Sequence, residues 1–187
     1  MNSDLKSYVK IYPNWVDSEL CKNVINDLSK SNWSRHKFSN ADGSITESYD
    51  TDLEITADLP KWTGLMHDRI WNAVNQYVVK DFNFPWFTGW NGFTQVRYNK
   101  YEVNTEMHKH CDHIHTAFDG VRKGIPILSV LGCLNDDYEG GDLIMWENEK
   151  INLKGGDIMV FPSLFLYPHK VSLVTKGTRY SYVSWVW

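Results

Sequence analysis

The chain has only three cysteines among its 187 residues, Cys21, Cys111 and Cys133. They are widely spaced, which excludes a disulfide framework and a CxxC zinc knuckle and leaves them as reduced thiols. It also lacks any run approaching the roughly 18 apolar residues of a spanning helix, so no membrane association is expected. Residues 1–10 are polar and charged where a secretory signal would carry an apolar stretch, and the expected location is the cytoplasm. A basic excess is missing as well. The net charge is −4 and the pI is near 5.9, so nothing draws the chain to phosphate backbones and no nucleic-acid partner is expected. There is no internal repeat, low-complexity run or Pro/Gly-rich linker to divide it.

What is present is a globular composition, 42% hydrophobic and 22% charged, in a length that suits one domain over 1–187. Aromatics make up 14%, with 9 Trp; they favour strands and supply rigid contact surface, in a core or along a groove. The periodicity shifts along the chain. After a short strand at 8–12, Asp17 caps a helix carrying Leu20, Val24, Ile25 and Leu28. A second helix is expected from Pro60 to Val79, with Trp62, Leu65, Ile70, Val74 and Val78 on one stripe. Residues 34–55 read as strand and loop. From Trp90 the pattern turns to β, with strands expected at 93–101, 125–134, 143–146, 157–161, 168–174 and 179–187, separated by Gly and Asn/Asp turns. The sum is an α+β plan: helical and mixed support over 1–89, then a β core over 90–187 closed as a sandwich or barrel.

The densest chemical signal is His108-Lys109-His110-Cys111-Asp112-His113-Ile114-His115. Side chains at i and i+2 of a strand share a face, so His110 and Asp112 can converge on one ion. His108/His110 and His113/His115 are rival pairs of the same geometry, and the cluster alone does not choose among zinc, iron and a solvated loop. His169 lies far downstream and offers a third ligand for a two-His, one-carboxylate triad, which leaves open positions on iron(II). Ten residues on, Arg179 offers a planar, always-charged fork for a carboxylate, with Ser181 on the same strand face.

An ordered set of motifs runs Tyr101-x-x-Asn104-x-x-Met107-x-x-His110-x-Asp112, Leu128-Ser129-Val130-Leu131, Tyr138-Glu139-Gly140-Gly141-Asp142-Leu143, Gly155-Gly156-Asp157-Ile158-Met159-Val160-Phe161-Pro162-Ser163, His169 and Gly177-Thr178-Arg179-Tyr180-Ser181. Together they resemble the catalytic core of prolyl 4-hydroxylase-like 2-oxoglutarate/iron(II) dioxygenases, over roughly residues 97–187. The resemblance implies a double-stranded β-helix (jelly-roll) core buttressed by the N-terminal helices, with His110, Asp112 and His169 as iron ligands. It implies Arg179 as partner of the distal carboxylate of 2-oxoglutarate, with Tyr101 and Ser181 beside it, and Trp185 and Arg97 as candidate substrate contacts. The cofactors implied are iron(II), 2-oxoglutarate as co-substrate and dioxygen, with ascorbate as an accessory reductant. The activity implied is hydroxylation of a peptidyl residue such as proline, in a peptide or protein partner.

Three alternatives stand beside it. A free amino acid or other small molecule suits a closed pocket. Nucleic-acid demethylation of the AlkB type usually brings a second arginine where this chain has Trp185. A non-catalytic cupin-like metal-binding module would use His108 and His110 and need no Arg179. Asn104 stands where relatives commonly carry glycine, which asparagine tolerates through its access to left-handed backbone. His108, His113 and His115 receive no role.

Overall fold

Short apolar alternations set the strands, and their hydrogen-bonded register sets which residues meet in the interior. The structure, a computed structural model, describes residues 3–39, 44–46, 51–83, 89, 92–112 and 126–187. His113, His115, Trp86, Trp90 and the segment 114–124 lie outside the described residues, as does most of 39–50.

The N-terminal half contains α1 (Ser3–Ser7), β1 (Lys10–Tyr12), α2 (Ser18–Leu28), β2 (Ser34–Arg35), β3 (Phe38–Ser39), β4 (Ile45–Thr46), β5 (Glu54–Thr56) and α3 (Pro60–Asn75), which runs into a π-helical turn, Gln76–Asp81. The remainder is almost all strand. It comprises β6 (Arg97–Tyr101), β7 (Met107–His110), β8 (Leu128–Cys133), β9 (Glu139–Gly140), β10 (Leu143–Met145), β11 (Glu149–Ile151), β12 (Ile158–Pro162), β13 (His169–Val171), β14 (Val174–Lys176) and β15 (Arg179–Val186).

The strands form a seven-stranded sheet in the order β1-β12-β8-β15-β6-β5-β2 and a four-stranded sheet in the order β11-β10-β13-β7, with β14-β9 and β3-β4 as two-stranded ribbons. Every pair of named strands is antiparallel, for example β15 with β8 and β13 with β7. Two layers of antiparallel sheet facing each other are the jelly-roll arrangement expected, with helices on the outer face. One apolar cluster joins α2 and α3 to the outer face of the large sheet through Val24, Ile70, Val74, Tyr98 and Val160. The second fills the space between the sheets with Leu131, Leu143, Met159, Phe161, Val171, Val183 and Trp185.

Asp17 caps α2 as its sequence suggests, its side chain accepting from the Leu20 amide at 2.8 Å. The expected stripe of α3 is partly corrected. Met66, Ile70, Ala73 and Val74 form the buried face, whereas Leu65 stays 38% exposed. The wide turn at Gln76–Asp81 then shifts the helical phase, so both Tyr77 and Val78 are buried. Asn104 adopts φ +68°, the left-handed conformation anticipated for it.

Candidate active site

The large sheet builds the inner wall of the site by alternation. In register, Tyr101 faces Arg179, Asn99 faces Ser181 and Arg97 faces Val183, while Ser181 faces Cys133, Val183 faces Leu131 and Trp185 faces Ser129. All these residues share the period-two face that points between the sheets. Polar groups on that face are buried: Asn99, Ser129, Arg179 and Ser181 each expose 4% or less.

The facing small sheet brings in the ligand candidates. His110 ends β7 and His169 opens β13, and the two are register partners, with ring centroids 4.5 Å apart. Asp112 lies just beyond the end of β7, so its convergence with His110 comes from the bend after the strand rather than from strand alternation alone. Cys111 between them turns away, its thiol donating to the Phe165 carbonyl at 3.3 Å. One donor atom each from His110, Asp112 and His169 falls within 4.8 Å of the others. His110 Nε2 is 3.5 Å from Asp112 Oδ1 and His169 Nε2 is 3.9 Å from Oδ2. Donors held about 2.1 Å from a shared ion sit at comparable separations.

The tautomers fit a metal as well. His110 Nδ1 lies 2.7 Å from the His108 carbonyl and His169 Nδ1 lies 3.1 Å from the Tyr167 carbonyl. Each Nδ1–H donates there, which turns the lone pair of Nε2 toward Asp112. Burial, with the neighbouring His110 ring, pushes the His169 pKa down to about 4, so near neutral pH the ring is uncharged and able to ligate. Burial works to raise the pKa of Asp112, but the two imidazoles and the Ser129 hydroxyl hold it below the usual carboxylate range. His108 is half-exposed beside Asp52 and Glu106, at 3.7 and 3.8 Å; it serves the triad through its carbonyl.

Arg179 is 1% exposed. Its guanidinium lies 4.9 Å over the Tyr101 ring and Nη1 donates to Ser181 Oγ at 3.0 Å. Nε has no hydrogen-bond partner, and among the described residues no carboxylate pairs with Arg179. A buried cation with no acid is costly, so this is a seat for an anionic ligand. Gly141 makes room for it: its φ is +62°, and a Cβ there would come within 3.0 Å of Arg179 Cδ. Arg179 borders a wide, solvent-open cavity that contains no triad residue. The triad itself faces a much narrower cleft, whose walls include Arg97, Tyr101, Leu143, Val183 and Trp185.

Two groups carried no role in the sequence reading. Ser129 Oγ donates to Asp112 Oδ2 at 2.7 Å. Its single proton is then spent, so Ser163, also 2.7 Å away, donates to Ser129 in turn. The signal for Ser129 was a hydroxyl inside a strand whose six residues are all buried, because buried hydroxyls need partners. Asn99 bridges Arg97 and Ser181, accepting from Arg97 Nε at 3.2 Å and donating to Ser181 Oγ at 3.4 Å. Ser129→Ala is expected to leave Asp112 less firmly oriented and to weaken metal binding by roughly tenfold to a hundredfold, read by calorimetry with manganese(II).

A profile of the 2OG-Fe(II) oxygenase superfamily matches residues 96–187. Residues 96–187 belong to that superfamily. Its chemistry uses iron(II), 2-oxoglutarate and dioxygen, and the two imidazoles, one carboxylate and acid-free guanidinium described above fit that set. A PKHD-type hydroxylase from Idiomarina loihiensis is 34% identical over 95 residues, covering 49% of this chain and 41% of that protein. This chain therefore aligns with less than half of the length of that relative. A PKHD-type hydroxylase from Prochlorococcus marinus is 28% identical over 91% of this chain and 74% of its own.

Among solved structures, a Trichoplax adhaerens prolyl hydroxylase in complex with a hypoxia inducible factor oxygen degradation domain peptide fragment superposes with TM-score 0.72 at 18% identity, over 97% of this chain and 84% of its own. The viral collagen prolyl hydroxylase of Paramecium Bursaria Chlorella virus-1 gives TM-score 0.65 at 16% identity, over 96% and 94%. At these identities the likeness is one of fold.

Proposed function

We propose that this chain is an iron(II)- and 2-oxoglutarate-dependent dioxygenase that hydroxylates an unactivated C–H bond, with a peptidyl residue such as proline as the first candidate target. The observation that carries the reading is the convergence of His110, Asp112 and His169 within 4.8 Å in the same interior as a buried guanidinium with which no acid among the described residues pairs. A simple metal-binding module of the cupin kind would leave Arg179 without a task. The PKHD-type hydroxylase relatives and the prolyl hydroxylase neighbours, one bearing a peptide, support a hydroxylated substrate of that class.

In this reading the whole of 1–187 works as one dioxygenase domain, with 1–89 supporting the β core. His110 and His169 would hold iron(II) through Nε2 and Asp112 through its carboxylate, leaving adjacent positions for co-substrate and oxygen. Iron(II) held by these residues would supply the activation of dioxygen, one oxygen atom ending in the substrate hydroxyl and the other in the succinate left when 2-oxoglutarate loses carbon dioxide. Arg179 pairs with the distal carboxylate and, with Ser181 and Tyr101 beside it, fixes the co-substrate's orientation. Leu131, Leu143, Val171 and Val183 line the cleft and keep bulk water from the reacting atoms. Trp185 and Arg97 stand at the wall left for the substrate.

A second reading, a free amino acid or other small metabolite as substrate, is favoured by the narrowness of the cleft. Methylated single-stranded DNA is not an expected substrate, given the acidic chain and Trp185 where a second arginine would be needed. Among the described residues no helix is long and apolar enough to cross a membrane, and a cytoplasmic place of work accords with the composition.

Anaerobic addition of iron(II) and 2-oxoglutarate is expected to produce the weak visible metal-to-ligand charge-transfer band of a bidentate co-substrate. Its absence with both components saturating removes the enzyme reading.

A further inference from the structure

We infer that Arg97 is a specificity-determining residue, a second anion anchor that selects substrates carrying a free carboxylate near the carbon to be hydroxylated. The inference rests on the dioxygenase reading above and names the substrate class for it.

Arg97 lies on the inward face of β6, in register with Val183, and lines the same cleft as the triad. Its guanidinium is already oriented. One face lies 4.9 Å over the Trp185 ring and Nε is spent on Asn99 at 3.2 Å. What remains is the Nη edge, a planar pair of donors of the shape that binds a carboxylate in a bidentate way. Among the described residues no carboxylate pairs with Arg97. Asp112 is the one acid among the described residues of the cleft wall, and it is already engaged by Ser129 and the imidazoles.

The charges point the same way. Iron(II), the Asp112 carboxylate, the 2-oxoglutarate dianion and the Arg179 guanidinium together sum to neutrality. Among the described residues of the cleft wall Arg97 is then the one uncompensated charge, and a single carboxylate on the substrate cancels it. A phosphate dianion would overshoot that balance. Arg179 cannot do the same work. It faces Tyr101 four residues away from Val183 on β15, roughly 13 Å along the strand.

The carboxylate can come from a free amino acid or from an acidic side chain in a peptide, and the test separates these sources from each other and from the co-substrate. Zinc(II)-loaded protein saturated with 2-oxoglutarate is followed through its arginine Nε–H resonances, with that of Arg97 assigned by its loss in Arg97→Lys. L-proline is titrated against L-prolinamide, and an end-capped proline peptide containing glutamate against its glutamine counterpart. The Arg97 resonance is expected to move with the carboxylate member of at least one pair, which binds roughly tenfold to a hundredfold tighter than its amide. The pair that responds identifies the source.

Calorimetry should show that preference erased in Arg97→Gln and partly restored in Arg97→Lys, a charge dependence that a merely structural role would not produce. Four outcomes overturn the inference: amides binding as well as acids, the preference surviving in Arg97→Gln, no carboxylate moving the resonance, or 2-oxoglutarate itself occupying Arg97. The Arg179 resonance reports separately on the parent reading, which fails if 2-oxoglutarate leaves it unmoved.

Discussion

Alanine at His110, Asp112 or His169 is expected to abolish iron-dependent succinate formation, while alanine at His113 or His115 leaves it in place. The three share one cluster and have no substitute nearby: they are the sole group of His, Cys, Asp or Glu able to hold an ion together among the described residues. Losing any of them leaves two donors, too few to fix an ion while leaving room for a bidentate co-substrate. The variants differ in what remains. In Asp112→Ala the negative charge is lost and the Ser129 hydroxyl loses its acceptor, so metal affinity should fall furthest; in His169→Ala a buried neutral ring is removed and a void opens beside Phe161, whose ring lies 5.3 Å away. Succinate release and manganese(II) calorimetry on all five variants check the assignment. Turnover that survives in Asp112→Ala and vanishes in His115→Ala would move the metal to another part of the histidine cluster.

The parts of this site that could be read from the sequence are those whose residues lie close together along the chain or depend on one backbone conformation. The His110-x-Asp112 pair is local, and Asn104 and Gly141 are turn positions whose residue types report a left-handed φ. Asp17 caps α2 with an amide three residues on. What was not legible depends on contacts between distant strands. Ser129 meets Asp112 across 17 residues and Ser163 across 34, and Asn99 meets Ser181 across 82. Each is an ordinary hydroxyl or amide until the register of the large sheet is known. On the inner face of α3 one position was misread, Leu65 for Met66, while Ile70, Val74 and Val78 are buried as expected. The two- and three-residue strands β9 and β11 are too short for any alternation to announce them.

Arg179→Ala is expected to raise the 2-oxoglutarate requirement by roughly a hundredfold to a few thousandfold while changing metal affinity far less. Stripping one partner from a desolvated charge pair costs about 3–5 kcal/mol, and about 1.4 kcal/mol is tenfold in affinity. Among the described residues no second cation touches the guanidinium, whose neighbours include the Tyr101 ring, the Ser181 hydroxyl and the Tyr138 hydroxyl, all neutral. The metal donors belong to β7, β13 and the bend after β7, so the substitution does not touch them directly. Arg179→Lys should recover only part of the loss: an ammonium keeps the charge, but it gives up the planar fork and the face that lies over Tyr101. The apparent Michaelis constant for 2-oxoglutarate, measured beside manganese(II) affinity in both variants, separates a co-substrate anchor from a residue that merely holds the fold, because a loosened fold would degrade both quantities together. An unchanged constant in Arg179→Ala would put the anchor elsewhere, and Arg97, the guanidinium that lines the triad's cleft, would be the next place to look.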